Sequence, residues 1–263
     1  MKILFIGDIV GKPGRRTVAE LLPGVKADVS PDFIVANGEN IAGGIGVTKE
    51  TALEVFRSGV DVLTLGNHVF ARKDVCQFLD EEPRILRPAN YPAGVPGRGW
   101  AVYSAGTGQA IALINLSGRV FMAEHLEDPF RVSDGILEEA AARTKVVLVD
   151  FHGEATSEKG AFAWYADGRV TAVVGTHTHV QTADERILPG GTACITDVGM
   201  TGPVDSVIGV RKELIISRFL TQMPNKFEVA DGEAVLSAVL IEADPATGRA
   251  LRIERIQVNR APA

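Results

Sequence analysis

The sequence predicts an α/β protein in which helices cover a largely buried sheet. Short apolar runs alternate with longer amphipathic segments along most of the 263-residue chain. Near the C-terminus the pattern changes to two stretches in which apolar and polar residues alternate. No linker, internal repeat or low-complexity run intervenes, so residues 1–263 read as a single domain. Strand and helix patterns in alternation place helices on both faces of a sheet.

In chain order, residues 3–6, 33–36, 62–65, 111–116, 146–149, 172–174 and 193–196 read as buried strands. Each is short, many are β-branched, and most are closed by Gly, Asp or Asn. Between them, residues 14–22, 49–58, 73–80, 136–143 and 207–220 read as helices. Pro13 fits a first helical position, and Thr48 fits an N-cap with Glu50 and Thr51 in the first turn. The Pro- and Gly-rich residues 87–108 read as a long loop with some extended structure, a kind that often frames a binding site. Residues 227–242 and 249–258 flank Asp244-Pro245-Ala246-Thr247-Gly248 and read as an antiparallel hairpin. The hairpin implies either one mixed sheet or two sheets packed face to face with helices outside.

Composition narrows the function classes. At 46% hydrophobic, the chain builds its core without staples. A net charge of −6 argues against an extended polyanion partner, although Lys12, Arg15 and Arg16 suffice for one phosphate. Cys76 and Cys194 lie far apart with no CxxC spacing and are expected as reduced thiols. The apolar run at 3–6 is too short for a signal peptide or a membrane span. A cytoplasmic protein with no membrane contact is the expectation.

The chemistry concentrates at strand ends, where open α/β sheets bind ligands. Asp8, Glu39, Asn67 and His152 each follow an apolar run, and Gly175-Thr176-His177-Thr178-His179 follows another. A glycine directly precedes Asp8, Glu39 and Asn67 and lets the backbone turn into the site. Singly, each residue has a structural explanation as a turn former, a cap or a buried histidine. Together with His68, which directly follows Asn67, they include four of the five histidines, and that conjunction points to a two-metal hydrolase.

Imidazole and carboxylate suit Zn, Fe, Ni or Mn. Glu39 is the expected bridge between two ions, because it lies on a strand expected at the centre of the sheet. Asp8, Asn40 and His179 would hold one ion, and Asn67, His152 and His177 the other. His68, beside a ligand but not assigned to metal, is expected either as general acid to the leaving oxygen or as a donor to a phosphoryl oxygen, with a metal-bound hydroxide as nucleophile. The N–H groups of Gly43 and Gly44 suit a phosphate, and a flexible loop without ligand suits the sequence equally. The Thr201 hydroxyl is a candidate for the rim of the site. Asp197 reads either as support for a histidine or as a turn residue. His125 reads as a solvated loop histidine.

At these residues the chain resembles the calcineurin-like metallophosphoesterase superfamily. Gly66-Asn67-His68 matches its Gly-Asn-His motif, His152 its lone histidine, and Gly175–His179 its Gly-His-x-His motif with one residue inserted. Where the superfamily has Asp-x-His, this chain has Asp8-Ile9-Val10, and Gly-Asp has become Gly38-Glu39-Asn40. These departures resemble one bacterial group, the YmdB-like phosphodiesterases. So do Gly7–Gly11, Asn37–Asn40, Asp197–Pro203 and Ser206–Gly209. The resemblance implies a four-layer α/β/β/α sandwich with two mixed sheets and a pair of metal ions, Fe or Mn. It further implies hydrolysis of small 2′,3′-cyclic nucleotides and leaves room for a regulatory role. Two alternatives stand beside it: a phosphomonoesterase or RNA-directed nuclease with the same site, and a metal-containing regulator acting through a protein partner. An exposed apolar patch would imply a homo-oligomer, but the sequence does not locate one.

Overall fold

The computed structural model describes residues 1–260. From the N-terminus, β1 (Lys2–Ile6) and β2 (Asp8–Ile9) precede α1 (Gly11–Val29), β3 (Phe33–Asn37) and α2 (Lys49–Arg57). Next come β4 (Val62–Thr64), α3 (Val75–Glu81), β5 (Ile85–Leu86), β6 (Trp100–Ser104) and β7 (Ala110–Ser117). They are followed by α4 (Pro129–Ala141), β8 (Val147–His152), α5 (Thr156–Tyr165), β9 (Ala172–Thr176), β10 (Arg186–Ile187) and β11 (Ala193–Ile195). The chain closes with β12 (Met200–Pro203), α6 (Lys212–Thr221), β13 (Ala234–Ala243) and β14 (Ala250–Arg260).

The strands form two mixed sheets. One runs β2-β12-β13-β1-β3-β4-β5 with β14 beside β13, and the other runs β10-β11-β9-β8-β7-β6. The period of two along a strand sorts side chains between layers. Ile3 and Phe5 share a core with Leu113, Leu148 and Val174, so the two sheets face each other. Leu4, Ile6 and Ile34 pack instead against Leu22 of α1, Val55 of α2 and Leu79 of α3. Ile114 and Val149 pack against Leu137 of α4 and Phe162 of α5. The result is the α/β/β/α sandwich, with strands buried on both faces, each such Leu, Ile or Phe contributing about 1.5–3 kcal/mol.

All seven predicted strands and the hairpin are present, and Thr48 caps α2 as expected, its side chain accepting from the Thr51 N–H. The differences have local causes. α1 begins at Gly11 and continues through Pro23, so Pro13 is its third residue rather than its first. α4 starts at Pro129, because Asp128 caps the N–H groups of Phe130 and Arg131. α6 starts only at Lys212; before it, Val207 and Val210 pair across a turn in which Ile208 takes a φ of 47°. The first hairpin strand begins at Ala234, not 227, and the preceding residues wall a cavity. α5 has no predicted counterpart. No helix among the described residues is long and apolar enough to cross a membrane.

β1, β3 and β4 run parallel in one sheet, and β8 and β9 run parallel in the other. Their carboxyl ends meet where Asn37, at the end of β3, donates to Asp150 of β8 at 3.1 Å. The predicted functional residues gather at this edge.

Candidate metal centre

Asp8 lies on β2 and is fully buried. Its Oδ2 accepts from the His177 N–H at 3.3 Å, while Oδ1 has no hydrogen-bond partner among the described residues and stands 3.9 Å from His179 Nε2. Burial pushes its carboxyl up to about 7. Glu39 follows β3 by two residues and is equally buried. Its Oε1 is 3.3 Å from His152 Nε2, 3.1 Å from Asn40 Nδ2 and 3.5 Å from His68 Nδ1. Burial alone would raise the Glu39 carboxyl, but His152 and His68 hold it well below the usual range.

His152 ends β8. Its Nδ1 is 2.9 Å from Thr176 Oγ1, and the Thr176 hydroxyl donates to Asp150 Oδ1 at 2.7 Å. That direction makes Nδ1 the donor and turns Nε2 into the site, 3.0 Å from both Asn67 Oδ1 and His177 Nδ1. Burial opposes a charge on His152, yet Glu39 outweighs it and the ring is pushed up to about 9. The same burial, with His152 beside it, pushes His177 down to about 3.

His177 and His179 follow β9 with φ of 101° and 66°. Left-handed backbone at two non-glycine residues is strained and persists only where surroundings enforce it. Asp197 is one enforcer: it accepts from the Thr178 N–H at 3.0 Å, from the Thr178 hydroxyl at 2.6 Å and from Lys159 Nζ at 3.0 Å. The Ile208 carbonyl is another, accepting from His179 Nδ1 at 2.9 Å. Gly66 makes room for the cluster, since a Cβ there would stand 2.3 Å from both Glu39 Oε2 and His152 Nε2.

The residues present fit a divalent cation. Glu39, His152 and His177 each offer a donor atom within 4.8 Å of the others, and the buried Asp8 Oδ1 has no other partner. Asn67 and His179 adjoin this set. Asn40 turns its amide nitrogen to Glu39 and His179 (3.3 Å) and its oxygen to His68 Nδ1 (3.1 Å). His68 is half-buried on the cavity wall, and its hydrogen bond to Glu39 favours the protonated ring.

Three expectations for substrate contacts need correction or narrowing. Thr201 is buried in β12 and bonded to the Ser237 backbone, because its side chain points between strands rather than to a rim. Gly43 and Gly44 do line the cavity with left-handed φ, but the Gly44 N–H is committed to Asn40 O at 3.1 Å. Arg15 is engaged with Glu54 and Ile41. His125 is exposed, as expected. Sequence reading missed Asp150, Thr64 and Asn37, whose hydrogen bonds converge on one buried carboxylate, and Glu154, 3.2 Å from His177 Nε2.

Two facing mixed sheets that bring carboxylate, amide and imidazole donors to one edge define a protein of the metallophosphoesterase class. Within it, the chain belongs to the YmdB-like protein family, whose sequence profile matches residues 4–256. It is 52% identical over 259 residues to the Bacillus subtilis protein named 2′,3′-cyclic-nucleotide 2′-phosphodiesterase, with 98% of this chain and 97% of that one covered. A crystal structure of a hypothetical protein from Thermus thermophilus superimposes with a TM-score of 0.92 at 42% identity, covering 98% of this chain and 99% of that one. A crystal structure of a novel phosphatase from Mycoplasma pneumoniae does so with a TM-score of 0.92 at 34% identity, covering 100% and 94%.

Proposed function

We propose that this chain is a metal-dependent phosphodiesterase that opens nucleoside 2′,3′-cyclic phosphates. The observation that carries the reading is the position of Glu39. Its Oε1 lies 3.3 Å from His152 Nε2 and 3.1 Å from Asn40 Nδ2, so it adjoins one residue of each proposed ligand group, which supports Glu39 as the carboxylate the two ions would share. The name of the Bacillus subtilis relative supplies the substrate class.

In this reading Asp8, Asn40 and His179 would hold one ion, Asn67, His152 and His177 would hold the other, and Glu39 would be shared. Fe and Mn are the ions we favour for this mixed nitrogen and oxygen set. When bound, the ions supply an activated water and offset the charge on phosphorus. The chain's own part is positional. Thr176 orients the His152 ring, and Ile208 O orients that of His179. Glu39 holds His68 through Nδ1, and His68 gives a proton to the leaving ribose oxygen.

The two unpaired thiols, Cys76 and Cys194, suit the cytoplasm. A second copy or a regulatory protein would meet the outer stripe of α6, where Ile216 and Leu220 are exposed.

The test is hydrolysis of 2′,3′-cyclic AMP by purified protein with added Mn²⁺ and with a chelator. Turnover that the chelator abolishes is expected. No turnover in protein carrying two metal equivalents would sink the reading.

A further inference from the structure

The cavity that starts at the donor cluster extends well beyond what a phosphate needs. It has a volume of about 600 Å³, within the range of small-ligand sites. One end is walled by Glu39, Asn40, His68, His177 and His179. The other is walled by Ile208, Phe219, Phe227 and Val229, with Arg218 beside them. Nothing in the chemistry above uses this second end.

Its composition is specific. Phe219 and Phe227 are 75% and 42% exposed, although the core holds other phenylalanines at or near zero. The Arg218 guanidinium lies 5.3 Å from the Phe227 ring centroid. Aromatic rings and a guanidinium plane are the surfaces on which nucleobases stack. An acyl chain has no use for the guanidinium. The two ends are also joined through one residue: Ile208 lines the apolar end, and its carbonyl holds the His179 ring.

We propose that Phe219, Phe227 and Arg218 form a base-stacking subsite that seats the nucleobase of a nucleotide whose phosphate lies at the donor cluster. The proposal rests on the phosphodiesterase reading for the identity of the phosphate end. It goes further in assigning residues to the base and a mode of recognition. The apolar wall presents faces rather than paired donors and acceptors, so it grips the plane of a base without reading its edge. Purines, with more area to stack, bind more tightly than pyrimidines, and bases of one size are hardly distinguished.

Binding of adenosine 3′-monophosphate and of inorganic phosphate to Mn²⁺-loaded protein, measured by calorimetry, tests this without requiring turnover. Phe227→Ala and Arg218→Ala are each expected to weaken the nucleotide about tenfold, the scale of one lost stacking contact. Their effect on inorganic phosphate is expected to stay below twofold. Phe219→Leu, which keeps an apolar residue on the exposed helix, provides a variant with little risk to folding and is expected to weaken the nucleotide selectively as well. Equal losses for both ligands, or no loss for the nucleotide in any of the three variants, would overturn the subsite. Selective loss in protein that fails to hydrolyse 2′,3′-cyclic AMP would instead remove the phosphodiesterase reading and leave the subsite standing.

Discussion

Thr176 accepts the Nδ1 hydrogen of His152 at 2.9 Å and donates its own hydroxyl hydrogen to Asp150 at 2.7 Å. The pair sits at the ends of neighbouring parallel strands, in register, so the fold itself supplies the alignment. Asp150 also accepts from Thr64 and Asn37 and is fully buried, which makes the arrangement rigid.

Thr176→Val keeps the shape of the side chain and removes the hydroxyl. Metal affinity is expected to fall about 10- to 100-fold, the usual cost of losing a group that orients a histidine ligand. Metal titration by calorimetry measures it. Unchanged affinity would show that the His152 ring is oriented by packing alone.

His68→Ala tests the proton donor. His68 contacts Glu39 and Asn40 but stands half-buried on the cavity wall. The variant is expected to keep its metal content and slow turnover by about 10²-fold or more. Elemental analysis and kcat on one preparation separate the two effects. Loss of metal together with activity would make His68 a structural partner of Glu39.

Lys159→Met addresses the support of the His177–His179 loop. Lys159 and Asp197 form an ion pair with 2% and 1% side-chain exposure. Removing the cation leaves a buried carboxylate without its charge partner, at a cost of about 3–5 kcal/mol. The denaturation midpoint reads this directly. A change under about 1 kcal/mol would mean that the N–H and hydroxyl donors to Asp197 suffice.

Metal uptake should release protons at neutral pH. Burial disfavours the charged His152 ring, but Glu39 prevails and raises it to about 9, so the metal-free ring is protonated at pH 7. A ligand imidazole must be neutral. Metal affinity therefore rises with pH from 7 toward 9 and levels off above. Calorimetry in two buffers of different ionisation enthalpy counts the protons. A binding enthalpy identical in both would mean that the ring is already neutral.

Much of the site was legible because its residues carry distinctive chemistry beside apolar runs. Asp8, Glu39, Asn67, His152, His177 and His179 do converge. The residues that orient them were hidden. Thr176, Thr64 and Asp150 lie inside strands and look in sequence like any other strand residues. α5 has no sequence counterpart because Ala155 provides no side-chain cap, and its charged Glu158 and Lys159 are buried in contacts with residues distant in sequence, which local pattern does not show.

The chain alone determined its alternation of strands and helices, and with it the presence of a buried sheet. It also determined which side chains have metal-binding chemistry, because both depend on residue type and local period. Only tertiary structure decided that the strands divide into two facing sheets. Only it decided that His177 and His179 occupy left-handed backbone, that Thr201 turns away from the site, and that Phe219 and Phe227 line the same cavity as the donor cluster. Each of these depends on contacts between residues far apart in sequence, and local pattern carries no record of such contacts.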